Sequence, residues 1–100
     1  DRQDDFRPDT DLPAGWYQVT SADYTGSGYD RGHLTPSGDR TRSAVDNSAT
    51  FLMTNIIPQL AANNQGAWND FENYLRSVAN AGNEIYIIAG VHGNAGTIAQ

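Results

Sequence analysis

Hydrophobic and polar positions fall into blocks along this chain, and the period changes from block to block. Trp16 to Thr20 alternates large and polar side chains, the two-residue period of a short strand. Thr50 to Asn55, Thr-Phe-Leu-Met-Thr-Asn, is a compact apolar run with polar ends and also reads as a strand. Ile56-Ile57-Pro58 is expected to close it, because proline has no N–H to give to a ladder. The period then lengthens. Trp68, Phe71, Leu75, Val78 and Ala79 recur at helical spacing and predict one helix with a single apolar stripe. Asn63 and Asn64 precede it, and an asparagine side-chain oxygen can cap the free N–H groups of a helix start. Gly82 is placed as the residue just past the helix C-terminus. Glu84 to Ala89, with Ile85-Tyr86-Ile87-Ile88 inside it, is a continuous apolar run, the pattern of a strand covered on both faces.

The stretches between these blocks carry little period. Residues 1–13, with Pro8 and Pro13, read as an irregular arm whose charges (Arg2 and Arg7 among Asp1, Asp4, Asp5, Asp9 and Asp11) are expected to be mostly solvated. Ala14-Gly15 is a turn signal, and residues 21–28 form a Ser/Gly-rich loop that delivers the chain to Tyr29. After His33, Pro36 to Arg40 is turn-rich, residues up to Ser48 are polar without a period, and residues 90–100 are small and Gly-rich. There is no internal repeat and no domain boundary, so residues 1–100 read as a single unit. The predicted order is arm, strand, Asp30-Arg31-Gly32-His33, strand, helix, strand. A hairpin-like strand pair followed by a helix brings the surroundings of His33, Asn55 and the helix start into one cleft.

Composition narrows the function classes. One hundred residues allow one small domain with a modest core. A net charge of -6 argues against a non-specific basic nucleic-acid binder, but not against an enzyme that handles phosphate through a metal and a few placed arginines. The lack of cysteine excludes disulfides and thiolate zinc sites. No apolar run approaches the roughly 20 residues that cross a bilayer, so no membrane partner is expected. The opening residue is Asp with no signal peptide ahead of it, which predicts a chain processed or cut from something longer.

The candidate chemistry gathers around Tyr29 to Thr35. Asp30-Arg31-Gly32-His33 sets an acid, a base, a flexible hinge and a titratable imidazole in consecutive positions. Phosphodiester hydrolysis needs a base to deprotonate water and a cation to neutralise charge building on phosphate. His33 is the candidate base, and Arg2, Arg31 and Arg76 carry forked donors that match phosphate oxygens. Asn64, Asn55 and Glu72 offer oxygens of the kind Mg²⁺ prefers, and Mg²⁺ keeps several waters, so one or two protein oxygens suffice. Asn64 and Glu72 are eight residues apart, about 80° around an ideal helix, so both can line one side of it. Each residue also has a plainer reading. Asn64 is a natural N-cap, Glu72 and Arg76 at i and i+4 make a surface salt bridge worth about 0.3–0.5 kcal/mol, and Asn55 ends a strand. The Asp30-Arg31 pair is an ordinary charged turn, and His92 is a loop histidine. No His pair at helical spacing supports zinc.

Taken together, Asp30-Arg31-Gly32-His33, Thr54-Asn55-Ile56-Ile57-Pro58-Gln59, Asn64-Gln65-Gly66-Ala67-Trp68 and Glu72 resemble the DNA/RNA non-specific endonucleases. These form the His-Me finger (ββα-metal) family, which includes secreted bacterial nucleases, cyanobacterial ones among them, and mitochondrial enzymes. The resemblance runs from Arg2-Gln3-Asp4 through Phe6-Arg7-Pro8-Asp9, Leu12-Pro13-Ala14-Gly15-Trp16 and Gly26-Ser27-Gly28 to Ala89-Gly90. It implies an α+β fold with a ββα-metal core, a mainly antiparallel sheet and one main helix. It implies Mg²⁺ (or Mn²⁺) as cofactor and DNA and RNA as substrates, with secretion or a periplasmic location. His33 matches the general base, and Asn64 the single protein ligand of the metal. Glu72 matches the helix carboxylate that holds metal-bound water, and Arg2 the arginine that stabilises the pentacovalent phosphate. Arg31, Arg76 and Asn55 match positions that contact substrate or support the site, and Asp30 fits a structural role beside His33. Family domains are considerably longer, so the chain reads as a catalytic core fragment or a minimal member. The competing reading is a catalytically inactive core, or a domain that binds a protein inhibitor or another partner. A second enzymatic alternative is a phosphodiesterase for substrates other than nucleic acids. Oligomeric state is not legible.

Overall fold

The computed structural model describes residues 2–92. Two short strands, β1 (Asp30–His33) and β2 (Ile56–Gln59), pair antiparallel with Asp30 opposite Gln59, Arg31 opposite Pro58, Gly32 opposite Ile57 and His33 opposite Ile56. Between them lies a short helix, α1 (Ala44–Ala49), and after them the main helix, α2 (Trp68–Asn80). The architecture is α+β, a strand pair followed by a helix.

A strand pair alone is marginally stable in water, and here it is held by what packs on it. The Trp68 indole N–H donates to the backbone carbonyl of His33 at 3.2 Å and ties the first turn of α2 to the end of β1. On the other side Tyr24, Met53 and Ile56 form a small core with Phe6 and Val19 against it, and Phe51 is fully buried beside it. The arm docks here through backbone bonds: the Arg7 N–H donates to Phe51 O at 3.2 Å, and the Met53 N–H to Arg7 O at 2.9 Å. Asn47, 1% exposed, is the bracket that joins three segments. Its Oδ1 accepts from the Gln3 N–H at 2.8 Å, and its Nδ2 donates to Ser37 O at 3.0 Å and Ser37 Oγ at 2.9 Å.

Several expectations from the pattern are corrected. Trp16 to Thr20 forms no strand. Trp16 and Tyr17 are exposed and nothing pairs with the segment. The loop after it holds a 3₁₀ turn, Ser21–Tyr24, that buries Tyr24. Thr50 to Asn55 is not a strand either. It leaves α1 through a turn, touches the arm at a single Arg7–Leu52 bridge, and winds into a 3₁₀ turn at Met53–Asn55. The strand starts where that one was to end, and Pro58 lies inside it. The Leu34 N–H to Asn55 O bond, 2.9 Å, sets the alternation of the ladder. That alternation puts Arg31 and Pro58 at a non-hydrogen-bonded pair, where the missing N–H costs nothing.

The polar stretch before Ser48 contains α1, whose start is capped by Ser43 Oγ accepting from the Asp46 N–H at 3.0 Å. The arm's charges are partly engaged rather than free. Arg7 pairs with Asp5 at 3.0 Å, and Thr54 Oγ1 donates to Asp9 at 2.7 Å. Glu84 to Ala89 forms no strand among the described residues, because no neighbouring segment offers it a ladder. Tyr86 and Ile88 are exposed instead. The helix forms where its period predicts, though none of its stripe is fully buried and Phe71 is exposed, and it ends as expected, with Gly82 at φ +100°, a conformation that favours glycine just past a helix. Most of the Gly-rich tail, residues 93–100, lies outside the described residues. Among the described residues no helix is long and apolar enough to cross a membrane.

Candidate active site

Arg2, Arg31, His33, Asn64, Glu72 and Arg76 line one cavity of about 280 Å³, walled by the 36–38 turn and Asn69. Three parts of the chain supply them. β1 supplies Arg31 and His33, the arm supplies Arg2, and the helical segment supplies the rest. All six positive side chains of the chain are arginines, and three of them meet here, two of them paired with carboxylates (Arg2 with Asp4, Arg76 with Asp39).

His33 sits at the end of β1, 9% exposed, boxed edge-on by Phe51 at 4.7 Å and Phe6 at 5.8 Å between ring centres. Its Nε2 is buried with no hydrogen-bond partner among the described residues. Burial in this aromatic box lowers its pKa from 6.5 to about 4, and the charge of Arg2 pushes the same way while Asp4 opposes it. The imidazole is therefore neutral at pH 7, with a lone pair available. Arg2 is held over the site by two contacts. Its Nε donates to Asp4 Oδ1 at 2.6 Å, and its guanidinium lies 5.1 Å from the centre of the Phe51 ring. Asp4 has φ +54°, a left-handed conformation that Asp tolerates better than most residues, and it folds the arm back on itself. Arg31 stacks 4.2 Å over Phe6 and donates to Ser21 Oγ.

Asn64 does not cap a helix. Residues Asn63–Ala67 wind as a π-helical turn that kinks at Gly66 before α2 begins, and no side-chain cap forms at either start. Such a turn within a helix is a recurrent feature of functional sites. Helical arithmetic from Asn64 to Glu72 therefore fails across the kink, yet both residues still line the cavity. The Asn64 Nδ2 donates to Asp30 Oδ2 at 2.9 Å, and Gln65 Nε2 donates to the same oxygen at 2.9 Å. These two amides hold the Asp30 carboxyl below its ordinary pKa. With its nitrogen anchored on a carboxylate, the Asn64 amide has its oxygen free of capping duty.

Glu72 does not pair with Arg76. Arg76 Nε bonds Asp39 at 2.8 Å and its Nη1 bonds Asn73 Oδ1 at 2.9 Å. Glu72 Oε2 is buried without a partner among the described residues. Burial pushes its carboxyl above the usual carboxylate range, with Asp39 adding to the shift and Arg76 opposing it.

Two named residues lie off the cavity wall. Asp30 stands behind Asn64. Asn55 is engaged entirely by backbone: its Oδ1 accepts from the Thr35 N–H at 2.9 Å, and its Nδ2 donates to Thr35 O and Thr50 O, each at 2.9 Å. That is support for the turn after His33 rather than contact with a ligand. Sequence reasoning missed Asp39, Phe6 and Phe51. Asp39 stands in a turn whose only signal was Pro and Gly, and the phenylalanines looked like ordinary core.

A divalent cation can be tested against these donors. Among the described residues no group of three or more His, Cys, Asp or Glu could hold a metal. One free amide oxygen, with an unpartnered carboxylate on the same wall, suits a hard cation that keeps most of its waters, so the residues present fit Mg²⁺ and not zinc.

The family model for DNA/RNA non-specific endonucleases matches residues 1–99. The chain is similar to a nuclease of Nostoc sp., 55% identical over 96% of this chain and 35% of the relative. It is 39% identical to human mitochondrial endonuclease G over 89% of this chain and 30% of the relative. It is 35% identical to nuclease C1 of Cunninghamella echinulata over 85% of this chain and 34% of the relative. The chain thus spans about a third of the length of these relatives. On this match and this fold, the chain belongs to the DNA/RNA non-specific endonuclease family.

Proposed function

We propose that this chain carries the active site of a Mg²⁺-dependent endonuclease that hydrolyses phosphodiester bonds of DNA and RNA without sugar or base specificity. The observation that supports it most is the cavity that collects an anchored Asn64 amide, an unpartnered His33 Nε2 and an unpartnered Glu72 Oε2 under three arginines. Asn64 would hold the cation and Glu72 would steady its water, with Mn²⁺ an acceptable substitute. Bound there, the cation supplies Lewis-acid stabilisation of charge building on the phosphate and leaving oxygen.

The remaining steps belong to the protein. His33, neutral at pH 7, takes a proton from a water at Nε2 as that water's oxygen attacks phosphorus. The P–O bond to the leaving oxygen breaks, the released oxygen takes a proton from solvent water to leave as the alcohol, and His33 returns its proton to solvent. Arg2 faces the charge that grows on the phosphoryl oxygens in the pentacovalent state. Arg31 and Arg76 grip phosphates, Asp30 holds Asn64, and Asn55 holds the turn after His33. Phosphate contacts carry no base information, which accounts for the lack of specificity.

Plasmid nicking with Mg²⁺ and with EDTA tests the scheme. His33→Ala should lower turnover by about 10²–10⁴-fold with the fold intact. Asn64→Ala should shift the Mg²⁺ titration to higher concentration. Undiminished nicking by His33→Ala refutes the base, and an unchanged titration for Asn64→Ala refutes the ligand. The exposed Tyr86–Ile88 run favours a second reading, an inactive core that packs against a protein partner such as an inhibitor. That reading predicts no nicking under either condition. A secreted or periplasmic location goes with the nuclease proposal.

A further inference from the structure

Arg76 is held by a turn that the catalytic scheme does not use. Its nearest carboxylate along the helix is Glu72, one turn back, the natural i to i+4 partner. The guanidinium bonds instead to Asp39 at 2.8 Å, in an ion pair whose side chains are 32% and 24% exposed. Asp39 comes from the 3₁₀ turn Ser37–Asp39. The middle residue of that turn, Gly38, lies flat against the guanidinium. A Cβ there would stand 2.7 Å from Nη2 and 3.0 Å from Cζ, closer than side chains approach one another.

We propose that the Gly38–Asp39 turn is a seat for Arg76, which makes Asp39 and Gly38 positioning residues that aim the guanidinium into the cavity and keep it off Glu72. The proposal rests on the nuclease reading for the identity of the ligand, a phosphate of the nucleic acid, but not for the seat itself.

The donor inventory supports it. A guanidinium has five N–H groups. Asp39 takes the Nε–H, and Asn73 takes one Nη1 hydrogen. The side fork of Nε and Nη2 is thereby closed to a ligand. What remains is the end fork, one Nη1–H and both Nη2–H, a geometry matched to two oxygens of one phosphate. Among the described residues no hydrogen bond reaches Nη2. The same arrangement leaves Glu72 Oε2 without a partner. Without Asp39, the Arg76 side chain is free to fall back one helical turn onto Glu72. One carboxylate thus serves two groups. It points the arginine outward and leaves the glutamate open.

Two measurements test the seat. The first reads the side-chain Nε–H of Arg76 by ¹⁵N NMR in EDTA, which needs no activity. The wild type should show a slowly exchanging Nε–H, and Asp39→Ala should lose it. Asp39→Asn, which keeps the acceptor oxygen, should retain it. The second is steady-state cleavage of a short duplex DNA. Asp39→Ala and Gly38→Ala should raise KM by about 10- to 100-fold, the loss expected for one charge-assisted contact. Asp39→Asn should recover most of that loss. The double variant Asp39→Ala/Arg76→Ala should be no worse than Arg76→Ala alone. An unchanged Nε–H in Asp39→Ala, or losses that add in the double variant, overturn the proposal. A wild type that cleaves nothing defeats the nuclease reading, and the NMR arm then decides the seat by itself.

Discussion

His33 links the site to the stability of the whole domain, and the link can be measured. The unfolded imidazole has a pKa near 6.5, while the folded one is lowered to about 4. The folded state therefore favours the neutral form. Between these two values the unfolded chain binds more protons than the folded one, so stability falls as pH falls. The contribution is complete above pH 6.5, declines through the window, and is fully lost near pH 4. At 1.36 kcal/mol per pKa unit the difference amounts to roughly 3 kcal/mol. The ring is only 9% exposed, so solvent screening removes little of it. Against a typical domain stability of about 5–15 kcal/mol this is a large share.

The control is His33→Phe, which keeps an aromatic ring between Phe6 and Phe51 and cannot titrate. Urea unfolding of both proteins in EDTA, from pH 7.5 down to pH 4, gives the stability difference at each pH. Glu72 acts in the opposite sense, since its raised pKa relieves a penalty as pH falls, but it is common to both proteins and cancels. The difference should shift against the wild type by about 1.4 kcal/mol per pH unit through most of the window. A flat difference, or one that moves the other way, would refute the apolar box as the cause of the depressed pKa. Under the proposed function, a bound phosphodiester anion would raise the same pKa and bring His33 closer to the range where a base works best at neutral pH.

Three further outcomes follow from the packing. Asn47→Ala removes the bonds to the Gln3 N–H and to Ser37 and should cost about 2–4 kcal/mol by urea unfolding, whereas a loss below half a kcal/mol would deny it the bracket role. Gly32→Ala puts a Cβ 2.9 Å from Gln59 Cβ on the facing strand and should cost about 1–3 kcal/mol, a deficit that Gln59→Gly should partly reverse in the double variant. Ser43→Ala removes the cap of α1 and should lower the thermal midpoint through a loss of about 1 kcal/mol, with an unchanged midpoint counting against the cap.

The helix was the most legible element because its stripe, its length and Gly82 all agree locally. The strands were not, and for a specific reason. Asp30-Arg31-Gly32-His33 contains no β-branched or aliphatic residue, and it is a strand only because Ile56–Gln59 lies beside it. Phe51 and Met53 are buried and two apart, as in a strand, but burial says nothing of who supplies the ladder, and a single bridge to Arg7 is all they receive. Ile85 to Ile88 shows the same limit from the other side, since among the described residues nothing offers this apolar run a ladder, and Tyr86, Ile87 and Ile88 stay exposed. The short α1 has a signal in Ser43 followed three residues later by Asp46, a capping pattern that stands out little in a polar stretch without a period.

At the site, the residue types were readable and their duties less so. Nothing near Asn64 in sequence tells a cap from a ligand. The distinction rests on Asp30, 34 positions away, which holds the amide nitrogen. Arg76 likewise had an obvious local partner in Glu72 and a true one in Asp39, 37 positions away.

The docking of the arm governs whether the site comes into being. Gln3 meets Asn47 across 44 positions, Ser48 meets Asp5 across 43, and Thr54 meets Asp9 across 45. Closing loops of that length carries an entropic cost, as does pairing β1 with β2 across the segment that holds α1. A chain with α2 wound and β1 paired to β2 still lacks Arg2, and it lacks the Phe6 wall of the box around His33. The cavity, the depressed pKa and the third arginine all depend on the docked arm, so a change that loosens the arm would undo them together.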